Sequence, residues 1–124
     1  MAATVLISIL NNTWFDNAFQ FGVAGDTSWS FAGKEFLCDL KSDIDQPTPD
    51  LSLSSVSPSP STILILDPVL RILQFNVTDL VIRANLQVGP YQYDLIMVDI
   101  ATGERDALMG GVITVVQGVT LTGD

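Results

Sequence analysis

The sequence predicts an all-β domain built as one antiparallel sandwich of about seven strands, and three observations carry that prediction. Short runs rich in Val, Ile, Phe, Tyr and Thr recur along the chain, each followed by Gly, Asn, Asp or Pro. The acids are lopsided, twelve aspartates against Glu35 and Glu104, and the lysines are only Lys34 and Lys41. Surface helices draw on Glu, Lys and Arg, whereas Asp bonds its own neighbouring backbone and favours turns. Several runs also alternate apolar and polar residues with the period of two that a half-buried strand requires.

In chain order the expected strands are Thr4–Leu10, Asn17–Val23, Glu35–Leu40, Thr62–Leu66, Leu70–Val77, Tyr91–Asp99 and Val112–Val116, with Trp29–Phe31 on the approach to the third. Phe36, Cys38 and Leu40 fall on one face of the third strand, and Leu37, Asp39 and Lys41 fall on the other. In the fifth, Leu73, Phe75 and Val77 form the apolar set, which places Phe75 in the core. Gly89-Pro90 opens the sixth as a turn, so Tyr91, Tyr93, Leu95 and Met97 face the core while Gln92, Asp94, Ile96 and Val98 face away. Thr102-Gly103 closes a hairpin that leads through Leu108 into the last strand.

Two stretches read differently. Residues 42–62 hold four of the six prolines and seven serines, the composition of a long exposed connection within a single domain spanning 1–124. Either it is a loop between two strands, or it clamps a neighbouring subunit with Leu51, Leu53 and Val56 as anchors. Asn76–Asn85 starts like a capped helical turn, with Thr78 as N-cap and Asp79 in the first turn, but at this length a short 3₁₀ corner between sheets is the expectation.

With 124 residues the chain can bury a core without metal or disulfide. The single cysteine, Cys38, makes no internal bridge, and with no histidine there is no Cys/His zinc cluster. Five basic against fourteen acidic residues give a net charge of −9, which repels a phosphate backbone and an anionic membrane surface. The apolar start from Val5 to Leu10 lacks the basic lead of a signal peptide and the length of a membrane span. A soluble chain folded where it is translated is expected, and one cysteine fits either the cytosol or a particle assembled there and later released.

No residue set is expected to be catalytic, to bind a cofactor or to hold a metal, and the chain reads as a non-enzyme. Histidine, the usual acid–base group, is missing, and the alternation buries Cys38 between Phe36 and Leu40 as an inert thiol. Asp94, Asp99 and Glu104 lie near one another as a glycosidase pair would, but Asp99 and Glu104 flank a hairpin turn. Asp39, Asp43, Asp45 and Asp50 are crowded, yet lack the glycine and glutamate register of a calcium loop. Gly110-Gly111 opens a strand without the helix or lysine of a phosphate cradle, and the acceptor patterns at Asn11–Thr13 and Asn76–Thr78 read as chance.

A tyrosine near the start of a late strand whose hydroxyl reaches backbone at the sandwich edge is a structural device of Ig-like domains. The order Leu86-x-x-Gly89-x-Tyr91-x-Tyr93-Asp94-Leu95, a turn at Thr102-Gly103, Gly111-Val112-x-Thr114-Val115 and a closing Gly118-Val119-Thr120 resembles Ig-like β-sandwich domains of tailed-phage virion proteins. The N-terminal domain of the baseplate upper protein is the nearest type. More loosely, Asn11-Asn12-Thr13-Trp14 and Phe31-Ala32-Gly33-Lys34-Glu35-Phe36 are similar to the first strand and to the turn before the family's long variable loop. The resemblance implies a bacteriophage structural protein of the virion, assembled in the host cytoplasm. It would act as an adaptor at tail, baseplate, neck or fibre, with other virion proteins and copies of itself as partners, no cofactor and no catalysis. Two alternatives are a capsid decoration (cement) protein and a carbohydrate-binding module using Trp14, Trp29 or Tyr91 as a stacking platform.

Overall fold

A computed structural model describes residues 3–22, 28–56 and 62–120. The described strands are β1 (Ala3–Thr4), β2 (Ile7–Leu10), β3 (Ala18–Gln20), β4 (Lys34–Lys41), β5 (Leu51–Ser54), β6 (Ile63–Asp67), β7 (Ile72–Phe75), β8 (Gly89–Asp99) and β9 (Arg105–Val116), with one helix, α1 (Asp79–Asn85), before β8. They form two sheets. The larger runs β1-β9-β8-β4-β5, with β2 also on β9, and the smaller runs β3-β7-β6. With β1 and β2 counted together as the first strand and β5 left out, the second, fifth and fourth strands (β3, β7, β6) share one sheet and the third, sixth and seventh (β4, β8, β9) the other, which is the immunoglobulin arrangement.

The core is one cluster fed by both sheets. Period-two alternation sends Phe36, Cys38 and Leu40 of β4 inward, and Tyr91, Tyr93, Leu95 and Met97 of β8, all buried as the pattern predicts. Leu73 and Phe75 of β7 and Ile63 of β6 meet them from the small sheet. Phe75 stacks on Phe15 with ring centroids 4.6 Å apart, and Phe31 packs edge-on against Phe36 at 4.7 Å. Each buried aromatic contributes about 2–3 kcal/mol by leaving water, which is how this sandwich holds with Cys38 unbridged.

Several expectations are corrected. The first and last strands pair in parallel, Ala3 opposite Met109 and Ile7 opposite Ile113, whereas the other described ladders are antiparallel. The first strand also breaks at Val5 and Leu6, beside Gly111 of β9 at φ 145°, although Val5 N–H still donates to the Gly110 carbonyl at 2.9 Å and the register is the same on both sides. Residues 42–62 are not all exposed loop: β5 lies within them on β4, with Leu53 buried opposite Cys38. Residues 57–61 of that stretch, and Val23 of the expected second strand, lie outside the described residues. Trp29–Phe31 leads into β4 as expected without being strand itself, and Phe31 N–H bonds the Pro68 carbonyl at 2.9 Å. The last strand begins at Arg105, well before Val112, so Gly110-Gly111 lies mid-strand.

The corner before β8 is an α-helix and not a 3₁₀ turn. Thr78 caps it through Val81 N–H, Asp79 occupies the first turn and Arg83 the last, an arrangement the helix dipole favours. Ile82, fully buried, plugs the end of the core beneath it. Gln87 N–H then donates to the Tyr91 hydroxyl at 2.7 Å, so the tyrosine closes the corner as Ig-like domains do.

Candidate interaction face

Register brings the outward side chains of the large sheet into rows. Ser54, Leu37, Ile96 and Ala107 stand abreast across β5, β4, β8 and β9. The next row is Ser52, Asp39, Asp94 and Gly110, and the one after it is Lys41, Gln92 and Val112. The small side chains at the ends of these rows leave a shallow open depression of about 650 Å³, which Ile44 and Arg105 also line. Asp39 and Asp94 face each other directly across two strands, and like charges so placed repel. Asp39 accepts a bond from Ser52 Oγ at 2.8 Å.

The suspected calcium ligands are dispersed. Asp43 Oδ1 accepts from Asp45 N–H at 3.0 Å, and Asp50 Oδ2 accepts from Ser42 N–H at 2.7 Å, a bond that holds the Asp50 carboxyl below the ordinary carboxylate range. Among the described residues no three metal-ligating side chains stand together. Nor do Asp94, Asp99 and Glu104 form a pair: Asp94 is on the sheet face, while Asp99 caps the hairpin. Asp99 Oδ2 accepts from Lys34 Nζ at 2.6 Å and Oδ1 from Ala101 and Thr102 N–H, and these bonds, the lysine's foremost, hold its carboxyl below the usual range.

Cys38 is fully buried and desolvation pushes its thiol well above the ordinary value, the opposite of what a nucleophile needs. The residues of the Asn11–Thr13 and Asn76–Thr78 patterns have structural work. Asn11 Oδ1 accepts from Gly118 N–H, Asn12 Nδ2 donates to the Thr120 carbonyl, and Thr78 caps α1. Of the aromatic platform only Trp14 is open, at 57% exposure; Tyr91 is buried, and Trp29 lies half-buried against Phe31 with the Arg71 guanidinium 5.0 Å over its ring. Of the three loop anchors, Val56 is exposed, Leu51 half-buried, and Leu53 belongs to the core.

One polar device, Arg71, escaped the sequence reading, and of a second, the buried tyrosine bonded to backbone, the sequence named the kind of contact but not the partner. Arg71, 1% exposed and at φ 58°, donates Nε to the Phe21 carbonyl at 2.8 Å and Nη1 to those of Trp29 and Val69 at 3.1 and 3.3 Å. It ties Phe21, which follows β3, and Trp29, which precedes β4, to the β6–β7 hairpin. On the other sheet, Tyr93 Oη donates to the Val5 carbonyl at 2.8 Å, and burial pushes its pKa up to about 12. A glycine pair inside a strand can mark such a close backbone approach: a Cβ on Gly111 would meet the same Val5 oxygen at 2.6 Å.

The chain matches no family model and no curated protein sequence. The fold and this face therefore stand on their own geometry: an Ig-type sandwich whose outer sheet carries a shallow depression lined by both acids and cations. No described helix is long and apolar enough to cross a membrane.

Proposed function

We propose that the chain is a non-enzymatic structural domain of a tailed-phage particle, an adaptor of the tail, baseplate, neck or fibre attachment that docks on neighbouring virion proteins and on copies of itself. The observation that carries the docking role is the rim of the small sheet. Among the described residues strand β6 is one of its two edges, and Ile65, Leu66, Val69 and Leu70 along the β6–β7 hairpin are 37–59% exposed. The apolar part of this edge, before the bulge at Ile65/Asp67 and before Pro68, is a template for another chain. The particle assignment draws its support from the Gly89-x-Tyr91-x-Tyr93-Asp94 run together with the Ig strand order. Mass spectrometry of purified particles tests it. The protein is expected there, and a Leu66→Lys/Val69→Lys variant is expected to be lost from them while remaining folded; absence of the unaltered protein overturns the reading. Cryo-microscopy of the same particles separates a tail position from capsid decoration.

A second reading, attachment to a glycan, is favoured only by exposed Trp14. Glycan-array binding abolished by Trp14→Ala would establish it.

A further inference from the structure

We infer that the outer face of the six-stranded sheet docks a second copy of this chain about a twofold axis, with Lys41 of each copy opposite Asp39 of the other. This surface is separate from the small-sheet rim of the proposed function, and the inference is independent of the particle assignment.

The argument begins with the scarcity of cations. The chain has five basic residues against fourteen acids. Lys34 is paired with Asp99 and Arg83 with Asp79, while Arg71 is buried against backbone carbonyls. Among the described residues, Lys41 and Arg105 are left without an ion pair, and both line the same depression. There the register also sets Asp39 directly against Asp94. A chain with net charge −9 thus places two of its five cations on the face that carries two opposed acids in no ion pair among the described residues. Opposed acids there cost stability in the monomer, and a partner cation removes that cost.

The geometry points to the chain's own lysine. Along β4 the row of Lys41 and Gln92 lies two residues from the row of Asp39 and Asp94, about 7 Å away at strand rise. Two such faces stack about 10 Å apart. A twofold axis in the interface, crossing the strands midway between these rows, sets Lys41 over Asp39 and Gln92 over Asp94, each contact occurring twice. No like charges meet at those four positions. Ile44, 65% exposed, lines the same depression as Lys41, and half-buried Leu37 and Ile96 supply the adjoining apolar row.

Charge exchange tests this, because both positions lie on the outward side of β4 and circular dichroism verifies the fold. Sedimentation equilibrium of the full chain, from micromolar to millimolar, is expected to show a dimer. Asp39→Lys alone and Lys41→Asp alone should each weaken it by about tenfold or more, as desolvated charge pairs do. The double exchange Asp39→Lys/Lys41→Asp should restore it, and the two single variants should pair with each other when mixed. A monomer at every concentration overturns the inference. So does a dimer indifferent to the single exchanges, which would leave self-docking to another surface, or a double exchange that fails to restore association.

Discussion

The two sheets hold their crossing segments with different chemistry. In the small sheet a buried cation, Arg71, donates to the carbonyls of Phe21, Trp29 and Val69. In the large sheet a neutral phenol, Tyr93, donates to the Val5 carbonyl, beside a glycine that lets that backbone come close. A guanidinium stays charged at any pH a protein survives and satisfies several acceptors at once, so losing it orphans them all. A phenol serves one acceptor and surrenders its proton in base. The first pin should therefore be the stronger, and the second the one that responds to pH.

The sharpest way to break that contrast is Arg71→Met, which keeps the packing stem and leaves three carbonyls without the guanidinium. A loss of about 3 kcal/mol or more is expected from urea denaturation. A loss below about 1 kcal/mol would make the cation an ornament. Gly111→Ala comes next. Its Cβ would stand 2.6 Å from the Val5 oxygen at a backbone φ of 145°, and a cost of about 2–3 kcal/mol is expected. Hydrogen exchange should show the loss concentrated in residues 3–10, with the small sheet still protected.

Tyr93→Phe is expected to cost about 1 kcal/mol at neutral pH, since it removes one hydrogen bond and leaves the ring. Its larger signature is in base. The folded pKa of about 12 exceeds the ordinary 10.0, so Tyr93 contributes stability that is fully present below pH 10.0 and is lost as pH rises toward 12. The buried Cys38 thiol, also raised, acts in the same direction from its ordinary 9.0 upward. In a Cys38→Ala background, stability should fall between pH 10.0 and 12 with Tyr93 present and be flatter with phenylalanine there. Equal slopes would remove the phenol from the comparison. Arg71→Met should leave that alkaline slope unchanged.

How much of this was legible in the sequence follows from the range of each interaction. β4, β7 and β8 alternate apolar and polar residues over their own length, so Phe36, Phe75 and Tyr93 declared their inward side without knowledge of any partner. β5 hid because its serines and flanking prolines read as solvated chain; the Leu51-Ser52-Leu53 alternation was its only local mark. The helix was announced by its Thr78 cap but outweighed by its short length. Arg71 stands between Leu70 and Ile72, and nothing in those neighbours says that its acceptors lie near residues 21 and 29. The face was half legible. Asp39 and Asp94 each drew notice among nearby acids, but only the β4–β8 register shows that they belong with each other and with Lys41.

The parallel seam between residues 3–10 and 109–116 has a mechanical meaning. Tension applied to the backbone ahead of β1 and beyond β9 pulls two same-direction strands past one another, so their hydrogen bonds bear load together in shear instead of opening one by one. A small domain wired this way is a stiff link between whatever holds its two ends, and single-molecule stretching should find its first rupture at this seam, at lower force once Gly111 is replaced by alanine.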